Sequence, residues 1–130
     1  MADSIFTKII RGEIPSYKIY EDDKTFAFLD IHPIQPGMTL VVTKKPYETF
    51  LDLPDEELEA LFATVQKVAQ KMHSVFPAKK RIAVQIEGLD IPHVHVKILP
   101  IDKGEDFRAA PPTQPVSADE LAAVAAKLAF

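Results

Sequence analysis

The chain has 130 residues, 47% of them hydrophobic and 26% charged, which is enough for one domain with a real apolar core and typical of a soluble globule. A net charge of −4 argues against a general nucleic-acid surface, so any anionic ligand must be held by a local site. With no cysteine, a disulfide is excluded and the redox compartment is left open; with no apolar run of membrane-spanning length and no apolar core in the charged first residues, a cytoplasmic protein without a membrane partner is the default expectation.

Ser4 is placed to cap a short helix over residues 5–10, with Gly12 as its stop and Pro15 barring continuation. Residues 17–20 and 25–30 read as two strands of a hairpin around the acidic turn 21–24. Pro33, Pro36 and Gly37 mark a loop, and residues 39–43 form a third, strongly apolar strand. Pro54 and the acids Asp55, Glu56 and Glu57 open a long helix, since proline fits the first turn and negative charge suits the positive end of the helix dipole. Its apolar residues Leu58, Leu61, Phe62, Val65, Val68, Ala69 and Met72 recur at helical spacing and are expected in the core. His73, in the last turn, reads as structural, and Pro77 ends the segment.

A fourth strand is expected over residues 81–87 and a fifth over residues 92–99, followed by a polar turn at 102–106. Prolines 111, 112 and 115 describe an extended segment. Ser117-Ala118-Asp119-Glu120 is a capping box that opens a terminal helix. The sum is an α+β domain with a mainly antiparallel five-stranded sheet and one dominant helix. A single domain spans 1–130, with its core in 1–110 and the proline-rich segment and terminal helix in 111–130.

Most of the chemistry sits in Pro92-His93-Val94-His95-Val96-Lys97-Ile98-Leu99-Pro100. Side chains two apart on a strand share a face, so His93, His95 and Lys97 form one row and Val94, Val96 and Ile98 the other. Two imidazoles and an ammonium suit a phosphate, or a nucleophilic imidazole beside proton donors. Two alternatives stand beside this one. The histidines can simply be solvated, the usual fate of an isolated H-x-H. A metal site would need more ligands than the row supplies: Lys97 repels a cation, and His32 and His73 are remote in sequence. No metal and no cofactor are expected.

The segments SIFTKIIRGEIPSYKIYEDD, FAFLDIHPIQPGMTLVVTKKP, LPDEELEALFATVQKVAQKM and PHVHVKILP, in this order and spacing, resemble the histidine triad (HIT) family nearly end to end. The resemblance implies an α+β meander that dimerises into a ten-stranded sheet. It further implies binding of purine nucleotides and cleavage at the α-phosphate through a nucleotidyl-histidine, with nucleoside phosphoramidates or dinucleotides as substrates. By the same resemblance His95 is the nucleophile, His93 holds the site in order, and Asp30 receives the ribose hydroxyls. A carboxylate can accept both hydrogens of a vicinal diol. Phe6, Ile9, Ile14, Phe28 and Ile31 fall where the family lines its base pocket, though each also fits a plain core.

The chain departs from the family at several positions, including Lys44-Lys45-Pro46, where the family has K-x-H after the third strand. Lys97 stands at the third histidine. Met38 stands where the family's PGH motif has its histidine. Ser4 and Thr7 occupy the positions of two cysteines that bind structural zinc in some relatives. Lysine can set a positive charge against phosphate oxygens, but it titrates far above neutral pH and is a poor proton donor there. The expected activity is therefore altered or reduced, with good leaving groups such as a diphosphate least affected. The alternative is a nucleotide-binding dimer with little turnover, acting as a sensor or interaction protein.

Overall fold

The computed structural model describes residues 3–130. Its elements are α1 (Ile5–Ile10), β1 (Lys18–Glu21), β2 (Thr25–Leu29), β3 (Thr39–Thr43), α2 (Asp55–Val75), β4 (Arg81–Gln85), β5 (His95–Ile101), α3 (Gly104–Arg108) and α4 (Ala118–Leu128). A single 3-10 turn, Phe50–Asp52, precedes α2.

The five strands form one antiparallel sheet in the order β1-β2-β3-β5-β4. The β1–β2 turn is fixed by Asp22, whose Oδ1 accepts from the backbone N–H groups of Lys24 and Thr25 at 2.9 and 2.8 Å, a local bond pattern that short acidic side chains favour. After β3 the chain crosses the sheet through α2 to its far edge at β4. It then returns through β5 into the gap beside β3, which places the histidine strand near the centre.

Both faces of the sheet are covered. On one, Ala27, Leu29, Val41, Val96 and Ile98 pack under Leu61, Val65, Val68 and Met72 of α2 and Leu121 and Leu128 of α4. On the other, Phe26, Phe28, Leu40, Val42 and Leu99 pack with Met38 and with Phe6 and Ile9 of α1. The period-two alternation sends each strand's neighbours to opposite cores.

Five expectations are corrected. The strand expected over 92–99 begins only at His95 and runs on to Ile101, with Pro100 beyond the end of the pairing with β3 at Ile98 and opposite Ile82 of β4. The strand expected over 81–87 ends at Gln85, which frees Glu87 to turn aside. The polar turn at 102–106 is the start of α3, where Asp106 accepts from the Lys103 N–H at 3.2 Å. Leu58 and Phe62, assigned to the core stripe, are 36% and 39% exposed, because the sheet and α4 cover only the Leu61–Val65–Val68–Met72 line. His93 and His95 are not a solvated row: they are 0% and 5% exposed, roofed by Phe6 of α1. The terminal helix packs against the core, with its end pinned by the Phe130 N–H donating to the Ile19 carbonyl at 3.0 Å.

Candidate active site

A cavity of about 500 Å³ opens on the α1 side of the sheet, a volume typical of small-ligand sites. Its floor is Met38, just before β3, and Leu40 of β3, which lie between Asp30 on one side and His95 and Lys97 on the other. Phe6, Ile9 and Ile14 form one wall, and Phe28 and Ile31 line it as well. Every residue assigned to the base pocket therefore meets around one hollow, together with Asp30, His95 and Lys97. His93 does not reach it and lies behind His95.

The two histidines are set by hydrogen bonds that fix their protons. The His95 Nδ1–H donates to the His93 carbonyl at 2.8 Å. A carbonyl only accepts, so Nδ1 carries the proton and, in the neutral ring, Nε2 holds the lone pair. His93 uses the opposite tautomer. Its Nε2–H donates to the Thr43 carbonyl at 2.7 Å, and its Nδ1 accepts from the Ser4 hydroxyl, also at 2.7 Å. Ser4 in turn is the N-cap of α1, with Oγ accepting from the Thr7 N–H at 3.1 Å. One hydroxyl thus starts the helix and locks the ring behind the candidate nucleophile. The Phe6 ring then packs edge-on against both imidazoles, 4.8 Å from His95 and 5.8 Å from His93.

Burial pushes the His95 imidazole below the ordinary histidine value. The bond to the His93 carbonyl works against that shift, and the Lys97 cation adds to it. Burial likewise lowers His93. Both rings are therefore held neutral near pH 7, the form in which Nε2 of His95 can act as a nucleophile.

Lys97 does not stand free. Its Nζ lies 3.4 Å from the Glu87 carboxylate. Burial would raise Glu87, but the Leu89 N–H and the Lys97 ammonium outweigh it and hold the carboxyl below its usual range. Asp30 sits just past β2, its Oδ1 accepting from the His32 N–H at 2.8 Å. Met38 is buried in the floor, and its sulfur accepts from the Ile34 N–H at 3.4 Å.

Several lining residues were not singled out from the sequence. His32 is remote from the H-x-H run in sequence yet lines the cavity; its place two residues after Asp30 was the available signal. Glu87 and Asp90 also line it, brought in by the early end of β4. Ser4 reads in sequence as a cap and as the place of a cysteine in some relatives, and nothing local links it to His93. Among the described residues, no group of histidine and acidic side chains is arranged to hold a metal ion. No described helix is long and apolar enough to cross a membrane.

The HIT domain profile matches residues 11–104. An uncharacterized HIT-like protein of Methanocaldococcus jannaschii is 40% identical over 108 residues, covering 78% of this chain and 81% of that one. The adenosine 5′-monophosphoramidase of Schizosaccharomyces pombe is 33% identical over 125 residues, covering 92% and 91%. A crystal structure of a HIT-like protein from Bartonella henselae superposes with a TM-score of 0.85 at 34% identity, covering 97% and 93%.

Proposed function

This chain belongs to the HIT family, and from that premise we propose that it is a purine-nucleotide hydrolase that cleaves at the α-phosphate with His95 as nucleophile. The observation that carries the reading is the tautomer lock: Nδ1 of His95 is tied to the His93 carbonyl, which leaves the Nε2 lone pair as the reactive atom of a buried neutral ring beside the cavity.

The cavity suits one nucleotide. Asp30 and the His95–Lys97 pair are separated by β3 alone, which makes two strand spacings, about 10 Å backbone to backbone. A nucleotide laid across Met38 and Leu40 would run from Asp30 to His95 and Lys97. In this pose the base lies among Phe6, Ile9, Ile14, Phe28 and Ile31, and Asp30 accepts from the ribose hydroxyls. The α-phosphate lies at the β5 end, where Lys97 faces its oxygens. His93 positions its neighbour and touches no substrate.

The reaction is a double displacement. The Nε2 lone pair of His95 attacks the α-phosphorus, an N–P bond forms, and the bond to the leaving group breaks with its electron pair going to the leaving atom. Water then attacks the same phosphorus, the N–P bond breaks, and the electron pair returns to Nε2. The nucleoside monophosphate leaves and the water proton passes to solvent. Lys97 compensates phosphate charge but holds its proton. A leaving group that departs as a stable anion therefore fits better than an amine that must be protonated.

The protein is read as a homodimer. Leu58 and Phe62 leave an apolar strip exposed on α2, and Val84 is exposed on the edge strand β4; pairing of those surfaces would cover both. The competing reading, a nucleotide-binding dimer with little turnover, draws on the Lys97–Glu87 pair, which ties up the cation nearest the site. Mixing the protein with a reactive adenylyl ester separates the two. The hydrolase gives a burst of one leaving group per site and an adenylyl adduct on His95 by mass spectrometry. A protein that binds AMP but gives neither is the binding dimer.

A further inference from the structure

Beyond Lys97 the surface hollows a second time. This cavity, about 390 Å³, shares Glu87 and Lys97 with the first and adds Gln85 of β4 and Arg108 of α3. Gln85 and Lys97 are direct partners across β4 and β5, so their side chains share a face. Glu87 and Lys97 thus form a partition with a hollow on either side.

The two hollows differ in charge. The first gathers the carboxylates of Asp30, Glu87 and Asp90 against the single cation Lys97. In the second, Lys97 and Arg108 face the one carboxylate of Glu87, which already accepts from the Leu89 N–H at 3.2 Å. Gln85 adds neutral amide donors. The near contact of Arg108 with Glu105, 3.9 Å between two strongly exposed groups, is a pairing that water and salt largely cancel. An anion therefore gains more in the second hollow than in the first.

Resting on the reading that a nucleotide fills the first cavity, we infer that the second is a leaving-group subsite that takes the phosphates beyond the α-phosphorus, with Arg108 as its specificity-determining residue. The scissile bond then lies at the Lys97 partition. When Nε2 of His95 bonds to the α-phosphorus, the α–β phosphoanhydride P–O bond breaks. Its electron pair goes to the bridging oxygen, which departs on the β-phosphate and needs no proton. A lysine that stays charged and an arginine that cannot release its proton are matched to that leaving group and mismatched to an amine.

The test compares ligands that reach different distances along the site. AMP and GMP fill only the first cavity. Their α,β-methylene triphosphates, which cannot be cleaved at the α–β bridge, enter the second as well. Calorimetry on the intact protein and on Arg108→Glu and Arg108→Lys gives the affinity advantage of each triphosphate over its monophosphate. The wild-type protein should favour the triphosphate, and Arg108→Glu should cut that advantage about tenfold. Arg108→Lys should keep most of it, and salt should compress it because the cations are partly exposed. An equal advantage in the wild type and Arg108→Glu would overturn the subsite. So would tighter binding of an adenosine phosphoramidate bearing a cationic amine, which would assign the hollow to Glu87. Failure of both monophosphates to bind would instead remove the underlying nucleotide reading, and the subsite with it.

Discussion

Replacing Ser4 with alanine should cost more than any ordinary helix cap, because the Ser4 hydroxyl serves two partners. Its oxygen accepts from the Thr7 N–H at 3.1 Å and its proton goes to His93 Nδ1 at 2.7 Å. Loss of an N-cap costs about 1 kcal/mol. Leaving Nδ1 of a ring that is 0% exposed without a donor costs about 1–3 kcal/mol more. The sum is about 2–4 kcal/mol, read as a lower urea midpoint at unchanged slope. For a chain of this size that corresponds to a drop in Tm of roughly 3–5 °C per kcal/mol. Ser4→Thr keeps cap and donor and should stay near wild type. Ser4→Asp separates the two roles, since a carboxylate caps the helix but cannot donate at neutral pH. It would draw a proton onto His93 and raise that ring's folded pKa above its unfolded value. The stability gained that way is present at low pH and lost as pH rises, opposite to the wild-type trend. Alanine and threonine variants differing by less than about 1 kcal/mol would refute the argument, as would an aspartate variant with the wild-type pH trend.

In the wild-type protein, both buried histidines are held below their unfolded pKa. The unfolded chain therefore binds protons first as pH falls through about 6.5. Stability should be fully present above that pH and decline below it by up to about 1.4 kcal/mol per pH unit per histidine; pH-dependent urea titrations check this, and His95→Gln should roughly halve the slope. His95→Ala should abolish turnover and adduct formation while AMP affinity changes little, because the nucleophile acts mainly in the transition state; calorimetry beside a rate assay reads both. Asp30→Ala should weaken ribonucleotide binding by about 1.5–3 kcal/mol, the usual worth of a charged hydrogen bond, and a 2′-deoxynucleotide by less. Equal losses would mean that Asp30 does not read the ribose. Lys97→His should raise the rate for amine leaving groups by up to about 10²–10⁴-fold and for phosphate leaving groups much less; equal rate changes for both classes would exonerate Lys97.

Local pattern settled most of the fold. Alternation along residues 39–43, the acid-rich start of α2 and the S-x-x-E box of α4 each encode an element through the residues that form it. What could not be read locally depends on neighbours far off in the chain. Leu58 and Phe62 share the helical period of Leu61 and Val65, and only the width of the sheet beneath α2 decides which of them is covered. His93 and His95 look like a polar strand face until α1 lies over them, and α1 is placed there by Phe6 and Ile9 joining a core built from β2, β3 and β5. Likewise Glu87 enters the cavity only because β4 gives up its pairing at Gln85.

The same logic explains how a site can prepare a nucleophile without a proton donor of matched pKa beside it. As the proposed nucleophile, His95 needs a neutral ring and a known tautomer; burial, helped by the Lys97 cation, gives the first, and the bond to the His93 carbonyl gives the second. Thr43 and His93 supply the carbonyls, Phe6 excludes water, and the Ser4 hydroxyl closes the chain of bonds. The tautomer does not depend on the residue at position 97, and the neutral ring depends on it only as an addition to burial. In the proposed mechanism, attack on phosphorus is thereby set apart from the fate of the leaving group, which is assigned to Lys97, Glu87 and the hollow beyond them. On the proposed reading, a lysine in place of the family's histidine at that position would alter which leaving groups the site can release while the nucleophile stays intact.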